Sequence, residues 1–201
     1  ALLWRSRVAA EPLLDLSLLR VRLYAANLAG GSIQQAGFFS WFLTAPLIMS
    51  ELWGWSTKEI GLALAVSQIL STIGSPLGGQ IVIRWGSNVA IAFGTTVNIV
   101  AMLWAVTTMS AESDFWGSYL PMALLFGFGS AIAGTVTTGA ALAALPTELL
   151  GTGNSIIQLV RRMGGALGTA AGFALLGEAS GPDLLDGARR AWILVAVIHA
   201  C

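Results

Sequence analysis

Long apolar runs joined by short polar connectors constrain the fold of this chain more than any other feature. Five runs exceed the roughly 20 residues that a helix needs to cross a hydrocarbon layer of about 30 Å. They cover residues 23–49, 60–83, 89–109, 119–145 and 153–176, and a sixth run occupies residues 191–201. Because lipid offers no partners for unpaired backbone groups, we expect these runs to be helices. Strands of a membrane barrel would alternate in polarity over about ten residues, and the runs show no such pattern.

The composition agrees with a membrane location. Hydrophobic residues make up 56% of the 201 residues and charged residues only 10%, whereas a soluble domain carries about 25% charged residues. Ten basic and ten acidic residues cancel, so the charge gives no indication of a nucleic-acid partner. We therefore predict an all-α integral membrane protein surrounded by a lipid bilayer.

The two ends of the chain suggest a piece of a longer protein. The chain begins with Ala1, and its last apolar run, residues 191–201, would reach only about 16 Å as a helix. We therefore expect truncation at both ends, with the last helix cut short. Residues 1–22 are amphipathic and predict a cytoplasmic linker, followed by a transmembrane bundle over residues 23–201. Lys and Arg residues are more numerous on the side that holds the N-terminus, which predicts that this side is cytoplasmic.

The fifth run carries a polar and glycine-rich stripe. Its members recur at steps of three and four and so share one helix face: Asn154, Gln158, Arg161, Gly165, Gly168 and Gly172. The three glycines, Gly165, Gly168 and Gly172, predict close packing by another helix. At membrane depth, Arg161 would cost about 2.5–3.5 kcal/mol on insertion scales. It is either an interior cation that faces a cavity, a substrate or an acidic partner, or a long side chain that reaches the cytoplasmic interface.

The first run carries a second stripe, made of amides and aromatic rings. Asn27, Gln34, Phe38 and Phe42 share a face, and Gln35 lies at its edge. Such a face suits a pocket for organic molecules that are partly apolar and partly cationic, although ordinary helix packing is the alternative. The candidate cavity residues are therefore Asn27, Gln34, Gln35, Phe38, Phe42, Gln158 and Arg161.

Several kinds of chemistry lack the residues they need. One histidine, His199, and one cysteine, Cys201, lie near the end of the chain, and we interpret both as ordinary members of an apolar segment. No metal-ligand spacing, Ser–His–Asp set or phosphate-binding glycine loop is found in the sequence. We therefore predict that the protein is not an enzyme and uses neither a metal nor a cofactor.

Three segments resemble a known family. The first is residues 46–62 (PLIMSELWGWSTKEIGL), which resemble the connection between the ninth and tenth helices of the fourteen-helix drug:proton antiporters of the EmrB/QacA type. This similarity continues without a gap through residues 74–79 (GSPLGG) to residues 84–86 (RWG). Residues 12–16 with Arg20 and Arg22 are similar to the segment that leads into the ninth helix. Residues 161–168 (RRMGGALG) are similar to a motif of the thirteenth helix. These antiporters form part of the major facilitator superfamily.

The resemblance implies the six-helix C-terminal half of a transporter, with inverted three-helix repeats and a substrate held between the two halves. Gly79, Arg84 and Gly86 match the superfamily's cytoplasmic gating-loop motif, although the motif's Asp position holds Ile83. No run contains an Asp or Glu at its centre, so the carboxylate that couples transport to protons would lie in the N-terminal half.

These observations lead to a functional prediction with alternatives. The first is proton-coupled efflux of amphipathic drugs or other small organic compounds across the plasma (inner) membrane, with partners limited to substrate, protons and lipid. The second is transport of a small anionic metabolite that Arg161 contacts directly. The third is a membrane subunit that does not itself transport.

Overall fold

Six α-helices make up most of the part of the chain that the structure, a computed structural model, describes: residues 16–177 and 182–200. They are α1 (Arg22–Glu51), α2 (Thr57–Trp85), α3 (Ser87–Thr108), α4 (Leu120–Ala143), α5 (Leu150–Leu176) and α6 (Pro182–Ala200). Short 3₁₀ turns at Leu16–Arg20 and Thr147–Leu149 and a π turn at Phe115–Tyr119 complete the described elements. The all-α fold class that the sequence predicts is confirmed. Most of the predicted linker, residues 1–15, lies outside the described residues.

Local chemistry fixes both ends of α2. At its start, the Ser56 hydroxyl accepts a hydrogen bond from the Glu59 amide, and the Glu59 carboxylate accepts one from the Ser56 amide. This reciprocal capping satisfies two amide donors that the helix itself leaves unpaired. At its end, Gly86 has φ of +87° and is the single residue between α2 and α3. Only glycine adopts such a backbone conformation without strain, so this position turns the chain with no further loop.

The helices pack in a crossed pattern. α1 packs mainly on α5, and α2 packs mainly on α4. α3 packs on α4 and α6, and α6 also packs on α1. The first helix of each three-helix unit, α1–α3 and α4–α6, therefore packs on the second helix of the other unit. This is the arrangement expected for the repeats of a transporter half.

Two hydrophobic clusters fill the interior. The larger contains residues from all six helices, and its fully buried aromatic and methionine side chains include Trp41, Met49, Met102, Tyr119, Phe126 and Trp192. The smaller lies near the start of α1 and includes Tyr24, Leu28, Ile156 and Ile157. The Tyr24 hydroxyl donates a 2.7 Å hydrogen bond to the Gly153 carbonyl, which ties the start of α1 to α5.

Helix length and apolar content together single out three stretches among the described residues as able to cross a membrane: Thr57–Trp85, Ser87–Thr108 and Phe115–Ala143. α1 and α5 have 30 and 27 residues, which is long enough to span. The amides of α1 and the two arginines of α5 interrupt their apolar stretches.

α6 begins at Pro182, nine residues before the apolar run that starts at Ala191. Its first half is helical because one face carries buried side chains at helical spacing, Leu184, Leu185 and Ala188, and this face packs on the bundle.

Candidate functional site

A concave polar face is formed by α1, α2, α4 and α5. It contains two adjoining cavities of about 720 and 280 Å³ that share Gln35 and Arg161, and we call the pair the front cavity. The larger part is lined by Gln35, Phe39, Gln158, Arg161, Arg162, Gly165, Ala166 and Thr169. The smaller part is lined by Gln34, Gln35, Phe38, Gln68, Ser71, Ser75, Gly127, Ser130, Ala131 and Arg161. Side chains of mixed polarity in a cavity of this size are typical of a small-molecule site.

Arg161 lies between three helices. Its Nη1 donates a 2.9 Å hydrogen bond to the Thr138 hydroxyl on α4. Its alkyl part packs over Gly31 on α1, where an added Cβ would lie 3.9 Å from Cγ and Cδ of Arg161. Among residues 16–177 and 182–200, Arg189 forms an ion pair with Asp186 at 3.5 Å, and Arg161 forms none. Arg161 is thus a half-buried cation at the front cavity that has a hydroxyl partner and, in this part of the chain, no carboxylate partner.

A buried amide connects the front cavity to the rest of the bundle. Gln34 is 6% exposed, and its Nε2 donates a 3.0 Å hydrogen bond to the Ser130 carbonyl on α4. The Ser130 hydroxyl in turn donates to Oδ1 of Asn98 on α3, at 3.2 Å. Hydrogen-bonded polar groups therefore run from the cavity to α3. The sequence analysis did not single out Asn98, although an amide in the middle of the apolar run 89–109 is a usable signal.

An aromatic platform borders the cavity. The ring of Phe38 lies nearly parallel to those of Phe42 and Phe126, with centroid distances of 5.8 and 6.1 Å and interplanar angles of 14° and 16°. Phe126 is buried, whereas Phe42 is 41% exposed. Phe39 meets Phe38 edge to face at 5.8 Å. Such offset and edge contacts are favourable arrangements of aromatic rings, and they hold Phe38 at the cavity wall.

The structure brings together most of the predicted cavity residues. Five of the seven line the front cavity: Gln34, Gln35, Phe38, Gln158 and Arg161. Phe42 lies beside it and supports Phe38. Asn27 instead donates to the Leu23 carbonyl of its own helix, at 2.9 Å, and lines neither part. Sequence reasoning did not include Phe39, Gln68 or Thr138 among the cavity residues.

Glycines let α5 approach α1 closely. A Cβ at Gly168 would collide with the Ala36 carbonyl, and one at Gly165 would lie 2.9 Å from the Phe39 ring. At Gly172 an added Cβ would lie 3.3 Å from the Ser40 hydroxyl. Gly164, which the sequence analysis did not name as a packing position, faces the Ser32 carbonyl in the same way. The stripe thus brings Gln158 and Arg161 up against the polar face of α1.

The predicted gating residues lie at the end of the bundle that holds the α2–α3 corner. Gly79, Arg84 and Gly86 are all exposed, and Arg84 occupies the last turn of α2. Added Cβ atoms at Gly79 and Gly86 would meet nothing within 4 Å. Their part in gating therefore remains a prediction.

No group of three or more His, Cys, Asp and Glu side chains that could hold a metal ion is found among the residues that the structure describes. The lining of the front cavity offers hydrogen-bonding groups, positive charge and aromatic surface.

Comparison with known proteins identifies the family of the chain. A sequence model of the Major Facilitator Superfamily matches residues 3–198. The Multidrug export protein EmrB of Escherichia coli (strain K12) is 26% identical over 160 residues, which is 80% of this chain and 31% of that protein. The Tetracenomycin C resistance and export protein of Streptomyces glaucescens is 27% identical over 166 residues, 83% of this chain and 30% of that protein.

The Multidrug resistance protein Stp of Mycobacterium tuberculosis (strain ATCC 25618 / H37Rv) is 27% identical over 175 residues, 87% of this chain and 31% of that protein. The chain thus spans about a third of the length of the curated relatives it matches. These relatives are exporters and resistance proteins of the type that the sequence resemblance indicated, and the family is one of integral membrane transporters, not of enzymes. With the family match covering nearly all of its length, the chain belongs to the major facilitator superfamily.

Proposed function

We propose that this chain forms one half of a proton-coupled exporter of amphipathic organic compounds. The observation that carries the proposal is the front cavity, where an aromatic platform, four glutamines and the half-buried Arg161 surround one space. A flat apolar molecule that carries a polar group needs this combination of partners. The names of the relatives, which include multidrug export and tetracenomycin C export, support an exporter.

The proposed mechanism follows from the placement of the cavity. α1, α2, α4 and α5 present the front cavity to a second half, and the two halves would rock about a substrate held between them. Phe38 would stack on the apolar part of the substrate, while Gln35 and Gln158 would bind its polar groups. Arg161 would remain on Thr138 or turn toward an acidic group of the other half, because a cationic substrate beside an unpaired guanidinium is unfavourable.

The test is a transport assay of the full reading frame that contains residues 1–201, expressed in cells that lack their own drug exporters. We expect efflux of ethidium, an aromatic cation, that stops when a protonophore abolishes the proton gradient. Phe38→Ala should lower the efflux rate at least tenfold, because stacking on the cavity wall is lost. The matched control is Phe93→Ala on α3, since Phe93 is exposed and lines neither part of the front cavity. Equal rates for the two variants, or efflux that survives the protonophore, would contradict the proposal.

A second candidate function is transport of a small anion. It is supported by the presence of both Arg161 and Arg162 at the larger part of the front cavity, with no carboxylate among the residues that line it. Parallel assays with a naphthalene carboxylate in place of ethidium distinguish the two functions: selective efflux of the anion favours the second. If neither compound nor any other member of a drug panel is moved, a membrane subunit without transport becomes the better description.

A further inference from the structure

Gln34 places a polar group deep in the membrane at the front cavity. It lies near the middle of α1, which begins at Arg22, and the distance between the two residues is about 18 Å along a helix. For a hydrocarbon layer of about 30 Å, this depth is close to the centre. The side chain is 6% exposed and lines the smaller part of the front cavity. At this depth a polar group depends on the protein or on a bound molecule for its hydrogen bonds.

One hydrogen bond fixes the orientation of the Gln34 amide. Its Nε2 donates to the Ser130 carbonyl on α4, at 3.0 Å. Because a carbonyl only accepts, the NH₂ end of the amide must face Ser130, and Oε1 is turned away from it. Among the residues that the structure describes, no N–H or O–H group donates to this oxygen. Oε1 of Gln34 is therefore an acceptor with a fixed direction and no partner in this part of the chain.

Arg161 is the neighbour of this oxygen across Gly134. Nη2 of Arg161 and Oε1 of Gln34 lie 3.3 and 3.5 Å from the position that a Cβ of Gly134 would occupy. The guanidinium is held in place by Nη1, which donates to the Thr138 hydroxyl, and no acceptor among the described residues bonds to Nη2. A fixed acceptor and a fixed donor thus lie side by side where both residues line the front cavity.

The other amides of the front cavity lack this constraint. Gln35 and Gln158 form no side-chain hydrogen bond within the part of the chain that the structure describes, and both are more exposed than Gln34. Gln68 contacts two hydroxyl groups of its own helix at 3.4 Å, and since a hydroxyl both donates and accepts, these contacts do not fix its amide. These three amides can present either their oxygen or their NH₂ group to a ligand, whereas Gln34 can only accept.

An aromatic surface lies one turn away from the fixed acceptor. Phe38 follows Gln34 by four residues on α1, and both line the smaller part of the front cavity. Residues at this spacing share a helix face. One molecule can therefore stack on the Phe38 ring while a polar substituent of the same molecule reaches Gln34.

We propose that Oε1 of Gln34 is the hydrogen-bond acceptor that selects aromatic substrates carrying an N–H or O–H group. Nη2 of Arg161 donates to an acceptor atom of the same polar group. The substrate class is therefore an aromatic compound with a donor and an acceptor on neighbouring atoms, of which a carboxamide is the simplest. The inference rests on the proposed function, because it specifies the amphipathic substrate of that same cavity.

The selection follows from the cost of an unpaired acceptor. When a substrate fills the cavity and displaces water, Oε1 of Gln34 loses its hydrogen bonds unless the substrate supplies a donor. A site that is built to bind an N–H or O–H group rejects an analogue without that group more strongly than one that differs only in apolar size, because a polar group of the site is then left unpaired.

The experiment compares three naphthalene amides that differ only in their donors. Their dissociation constants for the purified full-length protein in detergent are measured by isothermal titration calorimetry. 2-Naphthamide has two N–H groups, its N-methyl derivative has one and its N,N-dimethyl derivative has none, while all three keep the carbonyl acceptor. We expect the dimethyl compound to bind about tenfold or more weakly than 2-naphthamide, and the monomethyl compound to bind within about threefold of it. A loss of affinity that grows evenly with each methyl group would indicate an effect of bulk and would overturn the assignment.

A pair of variants locates the effect. Gln34→Met removes the acceptor at nearly constant length, so the three affinities should fall within about twofold of one another. Gln80→Met on α2 is the matched control, because Gln80 is exposed and lines neither part of the front cavity, and it should keep the preference of the wild type. If Gln34→Met also keeps that preference, another group recognises the donor and the assignment is overturned. The comparison of the three compounds on the wild type needs no substitution and holds even if Gln34→Met folds poorly.

The outcomes separate this inference from the proposed function. If the wild type exports ethidium but binds the three amides equally, or binds none of them, the exporter stands and the assignment to Gln34 is overturned. If the wild type neither exports ethidium nor binds any of the amides, both the proposed function and the assignment fail.

Discussion

The α1/α5 pair and the α2/α4 pair both pack closely through glycines, but the side chains that they contribute to the cavity differ. In both, a glycine of one helix faces a backbone carbonyl of the other: Gly168 meets Ala36, and Gly127 meets Ser67. The α1/α5 pair also carries Arg161, Gln35 and Gln158 at the cavity. The α2/α4 pair contributes shorter hydroxyl side chains together with Gln68. The difference indicates that close backbone approach is the shared scaffold and that the charge is concentrated on one pair.

The largest effect is expected from closing the gap in the α1/α5 pair. In Gly168→Ala, the new Cβ would collide with the Ala36 carbonyl, and since a backbone group cannot turn aside, the two helices must separate. Overpacking typically costs about 1–3 kcal/mol and occasionally more, and we expect about 3 kcal/mol here. The measurement is the melting temperature of the purified full-length protein in detergent. Gly151→Ala on the same helix is the control, because its Cβ would meet nothing within 4 Å; equal melting temperatures would show that the pair is not held by this contact.

A smaller effect is expected from a change at a less crowded glycine of the α2/α4 pair. In Gly74→Ala, the Cβ would lie 2.8 Å from the Phe128 carbonyl and 3.1 Å from Cβ of Ala131. A shift of a few tenths of an ångström relieves this contact, so the cost should be about 1–2 kcal/mol. Gly61→Ala on α2, where the Cβ meets no atom within 4 Å, should be neutral in the same melting assay. A cost for Gly74→Ala above that for Gly168→Ala would contradict this ranking of the two contacts.

Removal of the charge tests what distinguishes the two pairs. Arg161→Gln keeps a polar side chain but removes the guanidinium that donates to Thr138. The lost charged hydrogen bond, about 1.5–3 kcal/mol, is offset by the lower cost of membrane insertion, about 2.5–3.5 kcal/mol, so stability should change little. Efflux by the full-length protein should nevertheless fall about tenfold, which corresponds to about 1.4 kcal/mol in the barrier.

Arg162→Gln is the matched control for this change, because Arg162 is more exposed and no hydrogen bond to α4 is recorded for it. If only the Arg162 variant lost efflux, the functional charge would be that of Arg162 and not that of Arg161.

The smallest effect concerns the polar link between α2 and α4. The Thr135 hydroxyl donates a 3.3 Å hydrogen bond to the Ser75 hydroxyl in an exposed setting. Thr135→Val keeps the shape and should change the melting temperature by the equivalent of less than about 1 kcal/mol. Thr138→Val, one turn later, removes the partner of Arg161 and should have the larger effect. Equal effects would mean that the charge on Arg161 adds nothing to its hydrogen bond.

The sequence pattern was sufficient to predict the five long helices, because each of their apolar runs continues for nearly six turns or more. It also placed Gln34, Gln35, Phe38, Gln158 and Arg161 together, since residues at steps of three and four share a helix face. It could not find Thr138, Gln68 or Phe126, because their relation to the cavity depends on which faces of α2 and α4 turn inward. It also could not separate Asn27 from its neighbours, since an amide that bonds to its own helix has the same spacing as one that faces a cavity.

The start of α6 and the role of Asn98 show a second limit. The charged residues before Ala191 resemble a connector, yet Leu184, Leu185 and Ala188 pack on the bundle and extend the helix to Pro182. The interpretation of Asn98 needed the position of Ser130 on another helix. In both cases tertiary contacts decide the structure, and the local pattern alone does not contain them.

The single-residue corner at Gly86 has an electrostatic consequence. The last carbonyl groups of α2 and the first amide groups of α3 meet there, and the Gly86 amide donates to the Val82 carbonyl while its own carbonyl accepts from the Ala90 amide. The partial negative charge at the end of one helix therefore lies beside the partial positive charge at the start of the next, and the two helix dipoles largely neutralise each other. The two helix ends therefore offset each other's partial charge at a corner whose neighbouring residues, Ile83, Ser87 and Asn88, are uncharged.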